Sequence, residues 1–418
     1  VFLFLKTLLR VFYPKLMAQE TKQLNIWWIN QFALPTSQPG GGRHVQLARA
    51  LAKQGCTTTI VASSTNYMTG LEVEPEEMHH LDFVQIPVGW RGPRGIGKLL
   101  RMRSFGKKVS SGNWIDNRQK PDVIIGSSPS LHAANAAATL AQQFNVPFIV
   151  EVRDIWPLSL VEVAGVSPKH LVVRHLYKLE EQVVEKAARI ISLLPNADRY
   201  FSKYGFTRDT IDWVPNGVDM EMFSEVESIS TERTTVLYVG SLGPPNGMRT
   251  ILDAAKILQA THPSIQFRII GDGSAKEKLK LYARSKNMTT VSFEPAISRE
   301  KVPAELANAD ILVANVPSHD LYKYGISLNK LYEYLASGKP IALATSAADD
   351  PVTTAGVGPV VPPDDAVALA DRIATIATMT QEERDELGRK GRRFVQENNT
   401  FDLLAERVLS SVQKALRS

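Results

Sequence analysis

Short strands that are apolar from end to end, each followed by a helix, run through this chain in two successive sets. Leu24-Asn25-Ile26-Trp27-Trp28-Ile29 reads as the first. A loop ending in Gly40-Gly41-Gly42 follows, then a helix through Val45 and Ala52 that stops at Gly55, then a second strand over 57–62. A strand with no polar side has no face to turn toward water. Its sheet must be covered on both faces, which is the parallel α/β arrangement. Further strands are predicted at 83–88, 123–126, 148–152, 190–194 and 210–214, with helices such as 131–144 and 171–188 between them.

The alternation then restarts. Residues 223–233 are acidic and polar, a linker by composition, and 235–240 is a fresh strand. Strands at 266–270, 291–294, 311–314 and 341–344 follow. The chain therefore divides into a first Rossmann-like α/β domain, 23–225, and a second, 226–398. An N-terminal extension, 1–22, precedes them, and 399–418 forms a final amphipathic helix. Two facing α/β domains place a ligand cleft between the carboxyl ends of their sheets.

Bulk properties exclude several classes. At 418 residues the chain exceeds one ordinary core. Its 44% hydrophobic and 22% charged residues are ordinary for a globular protein, and repeats are absent, so solenoids and disordered scaffolds are excluded. The lone cysteine, Cys56, cannot form an internal disulfide, which favours a reducing compartment; its place between helix and strand makes it a small core residue. Eight scattered histidines show no zinc-like spacing, so no metal site is expected. A net charge of +5 at this length gives no argument for nucleic acid.

Two segments raise the question of a membrane. Arg91, Arg94, Lys98, Arg101, Arg103, Lys107 and Lys108 carry no acid among them, and Leu99, Met102, Phe105 and Val109 recur at helical spacing. The pattern fits a helix on an anionic membrane surface, and equally a helix packing one face on its own domain. Residues 1–13 are apolar but too short and basic to span a bilayer, and no small-residue cleavage site follows. Residues 1–16 are expected to be an upstream extension ahead of Met17 or a short interfacial anchor.

Several loops carry chemistry. Gly40-Gly41-Gly42 lies between a strand and a helix, where closely approaching N–H groups can meet a phosphate. The dinucleotide fingerprint is absent, which argues against a nicotinamide-dependent dehydrogenase. Gly240-Ser241-Leu242-Gly243 and Gly271-Asp272-Gly273 are strand-to-glycine turns at the carboxyl edge of the second sheet. In Asn329-Lys330-Leu331-Tyr332-Glu333 an acid enters early in an apolar helix that ends at Gly338-Lys339-Pro340. The helix N-terminus suits an anion and the carboxylate suits sugar hydroxyls, a pairing that matches a sugar nucleotide.

Taken in order, Gly40-Gly41-Gly42, Pro215-Asn216-Gly217-Val218-Asp219, Gly240-Ser241-Leu242, Gly271-Asp272-Gly273 and Glu333-(x)4-Gly338-Lys339-Pro340 resemble glycosyltransferase family four. The likeness covers about residues 24–415. Asp122-Val123-Ile124-Ile125-Gly126-Ser127-Ser128-Pro129 and Arg153-Asp154-Ile155-Trp156-Pro157 are similar to the fucosaminyltransferase-like branch that builds O-antigen and capsule. The resemblance implies the GT-B fold and a retaining, metal-independent sugar transfer without cofactor. The donor would be a nucleoside-diphosphate sugar, most simply a UDP-linked N-acetylhexosamine or a related sugar. The acceptor would be a saccharide, free or linked to polyprenyl diphosphate. A cytoplasmic enzyme is expected, and the basic segment 91–108 hints at a peripheral position on the inner face of the plasma membrane.

By the same resemblance the second domain binds donor. Gly41 and Gly42 touch the diphosphate from the opposite domain. Gly240, Ser241, Asn246, Gly271, Asp272 and Leu331 line the donor pocket, and Glu333 holds the ribose hydroxyls. Arg153 and Asp154 fall where relatives carry a catalytic-cleft histidine, and Lys330 stabilises charge on the leaving group.

Three departures stand out. The first Glu of the family's paired motif is Gly325. Ser241 stands where an Arg is common, and Pro244-Pro245-Asn246 lacks the usual loop Lys. Lys330 and Arg249 are candidates to replace the missing charge. Two rivals stay open: a non-catalytic sugar-nucleotide-binding subunit, which these losses favour, and a nucleotide-sugar epimerase on the same fold.

Overall fold

The computed structural model describes residues 23–36, 41–67, 70–73, 81–89, 95–223 and 233–418. The expected anchor within 1–22, Gly40, Arg91 and Arg94, and most of the acidic linker lie outside them.

Among the described residues twelve parallel strands form two sheets. The first contains β1 (Asn25–Ile29), β2 (Thr57–Ser63), β3 (Leu81–Ile86), β4 (Val123–Ser127), β5 (Phe148–Val152), β6 (Arg189–Ser192) and β7 (Ile211–Trp213), in the order β3-β2-β1-β4-β5-β6-β7. The second contains β8 (Thr235–Val239), β9 (Gln266–Ile270), β10 (Val291–Glu294), β11 (Ile311–Asn315) and β12 (Ile341–Ala344), in the order β10-β9-β8-β11-β12. Each sheet starts at its centre and reverses direction there, between β1 and β4 and between β8 and β11. Such switch points open a crevice at the carboxyl ends of the strands.

The apolar strands are explained by their two-sided burial. In β1, Trp27 and Ile29 belong to one core and Ile26 and Trp28 to the core on the other face. In β8, Val236 and Tyr238 are separated from Leu237 in the same way. Period-two alternation thus sends every side chain into a core, leaving no polar face. Cys56 is buried in one of these cores, and burial raises its thiol pKa.

The last helix, Phe401–Ala415, returns to the first domain. Phe401, Leu404, Ala405, Val408 and Val412, spaced three and four apart, pack with Leu47, Leu51 and Ile125. The two crossings of the chain run side by side: Val218 N–H donates to the Asn399 carbonyl at 2.9 Å, and Asn399 Nδ2 donates to the Asn216 carbonyl at 3.2 Å.

The basic segment forms the helix Gly95–Ser110, and its apolar stripe meets protein. Met102, Phe105 and Val109 are buried, Phe105 and Val109 within the first core, while Arg103, Lys107 and Lys108 are exposed. Of the two expected arrangements, packing on its own domain is the one observed. No helix among the described residues is long and apolar enough to cross a membrane.

Candidate functional site

The facing edges of the two sheets bring together groups that are far apart in sequence. On the second-domain side, the helix Asn329–Ser337 begins at Leu328, whose side chain does not cap it, and ends at Gly338 in the left-handed conformation. Lys330 sits in its first turn. Its ammonium donates to the Tyr238 hydroxyl at 2.7 Å and to Asn246 Oδ1 at 2.5 Å. Tyr238 in turn donates to the Ser241 carbonyl at 2.7 Å. Two of three ammonium protons are thereby placed and one is left for the cleft. The side chain is half-buried, yet protein crowds the amine, and this desolvation lowers its pKa to about 7 against the opposing pull of Glu333.

Gly240 and Gly271 end β8 and β9, and their backbones touch: a Cβ on Gly271 would strike the Gly240 carbonyl. That closeness joins the two turns into one wall. Ser241 is exposed at its rim. Asp272 is exposed as well, and its carboxylate accepts the Gly273 N–H at 2.7 Å, so it shapes its own turn.

Gly41 and Gly42 approach from the first domain. Arg299, which sequence reading missed, bridges the gap: its Nη1 donates to the Gly41 carbonyl at 2.8 Å, and its Nη2 lies 3.9 Å from Glu333 Oε1. Its guanidinium fills the space that a side chain on Gly42 would need. Glu333 is half-buried; desolvation raises its pKa, while Arg299 and Lys330 pull it down.

Arg153 and Asp154 follow β5 on the first-domain side. Ser128 Oγ accepts the Arg153 N–H at 2.9 Å and donates to the Asp154 carbonyl at 3.1 Å, which holds the turn. Both residues line a 350 Å3 pocket with Phe32, Asn216, Ser327 and Asn329. Burial raises the Asp154 pKa, against Lys98 and Arg153.

Beneath them lies a buried ionic network that sequence reading also missed. Glu151, fully enclosed, accepts from Arg43 Nε at 3.1 Å, His44 Nε2 at 2.9 Å and Ser127 Oγ at 2.5 Å. Burial alone would raise its pKa, but the adjacent His44 and Arg43 hold it well below the usual carboxylate range. Arg43 also donates to the Val214 and Pro215 carbonyls. It thereby ties the helix after Gly41-Gly42 to the strand that leaves the domain.

Three expectations need correction. Leu331 is fully buried in the second core, and its N–H donates to the Leu328 carbonyl, so it belongs to packing and not to a pocket. Arg249 is committed elsewhere: it pairs with Asp253 at 3.2 Å and stacks on Tyr282. Gly325 is not a vacated Glu position. It has φ +96°, and a Cβ there would strike the Pro195 ring. The neighbouring Leu321 and Tyr324 are sunk into the first core, so the backbone at 325 is pinned between domains.

Among the described residues no three His, Cys, Asp or Glu side chains come together as metal ligands would.

Comparison with known proteins follows the same division. Residues 40–217 match the glycosyl transferase 4-like domain, and residues 219–394 match glycosyl transferases group 1. WcaI of Escherichia coli K12, named for colanic acid biosynthesis, is 22% identical over 231 residues. That match spans 52% of this chain and 56%, little more than half, of the relative. D-inositol 3-phosphate glycosyltransferase of Paenarthrobacter aurescens is 25% identical over 306 residues, 67% of this chain and 72% of the relative. Sucrose-phosphate synthase from Thermosynechococcus elongatus superposes with a TM-score of 0.72, at 19% identity, over 93% of this chain and 98% of its own. Anabaena HepE in complex with UDP and glucose does so at 0.65 and 14% identity, over 94% and 100%. At such identities the structural likeness speaks for the fold alone. With a glycosyltransferase domain matched in each half, and two facing Rossmann-like sheets, the chain belongs to the glycosyltransferases of GT-B fold.

Proposed function

We propose that this chain transfers a sugar, with retention at the anomeric carbon, from a UDP-linked N-acetylhexosamine or related donor to a saccharide or lipid-linked saccharide in surface polysaccharide synthesis. One observation carries the reading: Gly41-Gly42, Arg299, Glu333 and the Lys330 ammonium converge across the cleft at an uncapped helix N-terminus. The colanic acid relative supports the pathway class.

In this reading the diphosphate lies between Gly41-Gly42 and the start of Asn329–Ser337, and Glu333 takes the ribose hydroxyls. The acceptor hydroxyl attacks the anomeric carbon, the carbon–phosphate oxygen bond breaks, and the departing phosphate receives the hydroxyl proton. Lys330, Arg299 and backbone N–H groups stabilise charge that grows on the leaving group, the kind of preorganised electrostatics that dominates many rate enhancements. Arg153 and Asp154 stand on the acceptor side and orient the hydroxyl. Neither cofactor nor metal is invoked, so a chelator should leave turnover unchanged. In this reading the reaction runs in the cytoplasm.

The test is release of nucleoside diphosphate from UDP-, GDP- and dTDP-sugars, with and without lipid-linked acceptors. Acceptor-dependent release from one donor is expected. Conversion of the donor into an epimeric sugar nucleotide without acceptor, and without net release of nucleoside diphosphate, would indicate an epimerase. Donor binding without release on any acceptor would indicate a non-catalytic subunit, the outcome that the missing charge at Ser241 would favour.

A further inference from the structure

In the helical layer of the first domain, three helices border a recess of about 450 Å3 that shares no lining residue with the transfer cleft. They are Gly95–Ser110, Leu131–Phe144 and Leu171–Val184. Gly106 accounts for how closely the first two meet. A Cβ on it would lie 2.6 Å from the His132 carbonyl, so a side chain there would force the helices apart. The His132 ring then stands beside the His175 ring of the third helix, their centroids 5.9 Å apart.

Every side chain on its wall is polar. Arg103 and Lys107, exposed one turn apart on the first helix, come from the basic segment whose apolar stripe packs on the domain. Packing explains that stripe but not these cations. No carboxylate lines the recess to balance them. Burial lowers the His132 pKa, and the nearby His175 and Arg103 push it the same way. Like charges gathered in this manner repel, and an anion that enters relieves the repulsion. Ser110, Ser111 and Asn135 complete the wall. Lys186 donates to Asn135 Oδ1 at 3.5 Å and brings one more cation to the rim.

These groups select a ligand class. A metal ion would meet two imidazoles, but also two permanent cations and neither carboxylate nor thiolate. An apolar ligand would find no apolar wall. A phosphate monoester carries close to two negative charges near neutral pH and three acceptor oxygens. Arg103 offers it a planar fork of donors, Lys107 a point charge, and the two histidines further N–H groups. The volume is that of a small-molecule site and exceeds what a phosphate group alone fills. The remaining space, beside two serine hydroxyls and an amide, suits a small polyol. We propose that this recess binds a phosphate monoester of a small polyhydroxy compound, at a site separate from sugar transfer. The proposal does not depend on the donor reading of the cleft.

The probe is glucose 6-phosphate, titrated by calorimetry into the full chain with saturating UDP present. Binding at least tenfold tighter than that of glucose is expected. The double variant Arg103→Met, Lys107→Met alters two exposed side chains, so it should fold as the parent does. It should weaken the probe at least tenfold while UDP binds as before. Lys98→Met, a change at the cleft end of the same helix, should leave probe binding unchanged. Binding lost in Lys98→Met but kept in the double variant would put the phosphate in the cleft and overturn the proposal. Affinity no better than that of glucose would do the same. Vesicles containing phosphatidic acid present the same group on a surface. Sedimentation with them that the double variant abolishes, without any binding of glucose 6-phosphate, would assign the recess to a lipid headgroup and overturn the soluble ligand.

Discussion

On the first-domain side of the cleft, charge is enclosed: Glu151 is sealed from solvent and shared among Arg43, His44 and Ser127. On the second-domain side, charge is kept at the cleft surface: Lys330 and Glu333 are half-buried, and each retains access to a ligand. The difference separates two uses of the same residue types. A sealed ion pair fixes where Gly41-Gly42 and the 214–216 crossing sit. A half-buried, partly desolvated charge is held ready for a ligand charge of opposite sign. The first should matter to folding and the second to chemistry.

The sharpest test of this contrast is Glu151→Ala. It strands the Arg43 guanidinium in the interior, and breaking a buried pair in this way costs about 3–5 kcal/mol. Urea unfolding should show that loss; a change under about 1 kcal/mol would mean that the network is not structural. Lys330→Met should do the reverse. Its unfolding midpoint should stay near that of the parent, while kcat/KM falls by about 10²–10³, the size seen on removing one preorganised donor.

Lys330 also supplies a pH signature. Burial lowers its pKa to about 7, so in the free protein the ammonium is present below that pH and lost above it. A bound diphosphate favours the charged form. UDP affinity should therefore fall as pH rises through about 7, and Lys330→Met should flatten that slope. A slope that survives the substitution would assign the titration to another group.

Gly325→Glu, the substitution that restores the family's motif, should give the smallest effect. With φ +96° and Pro195 in the way, strain of about 1–3 kcal/mol is expected, with no gain in turnover. A gain without destabilisation would show that the position is merely vacant.

What could be read from sequence follows from how local each signal is. All twelve strands were legible, within a few residues at their ends, the central ones because a wholly apolar run between turns has one stable use. The turns at Gly240, Gly271 and Gly338 were legible because glycine in a strand-to-helix or helix-to-strand corner is a local requirement. The Glu151 network was not, since its members lie 107 and 108 residues apart and neither Arg43 nor Glu151 stands in a motif of its own. Arg299 was hidden for the same reason: it meets Gly41 across 258 residues and a domain boundary. Amphipathic spacing announced that Gly95–Ser110 and Phe401–Ala415 bury one face, but spacing carries no information about what covers that face. Leu331 was misplaced because a position in a motif does not say which way the helix turns it.

The most direct test of the central claim, that a nucleoside diphosphate lies between Gly41-Gly42 and the start of the Glu333 helix, is a UDP titration of the unaltered chain and of Glu333→Ala. One site per chain is predicted, weakened at least tenfold in the variant. A hydrogen bond to a charged group is worth about 1.5–3 kcal/mol, and about 1.4 kcal/mol is a factor of ten. Equal affinity in the two proteins would remove Glu333 from the site and contradict the account.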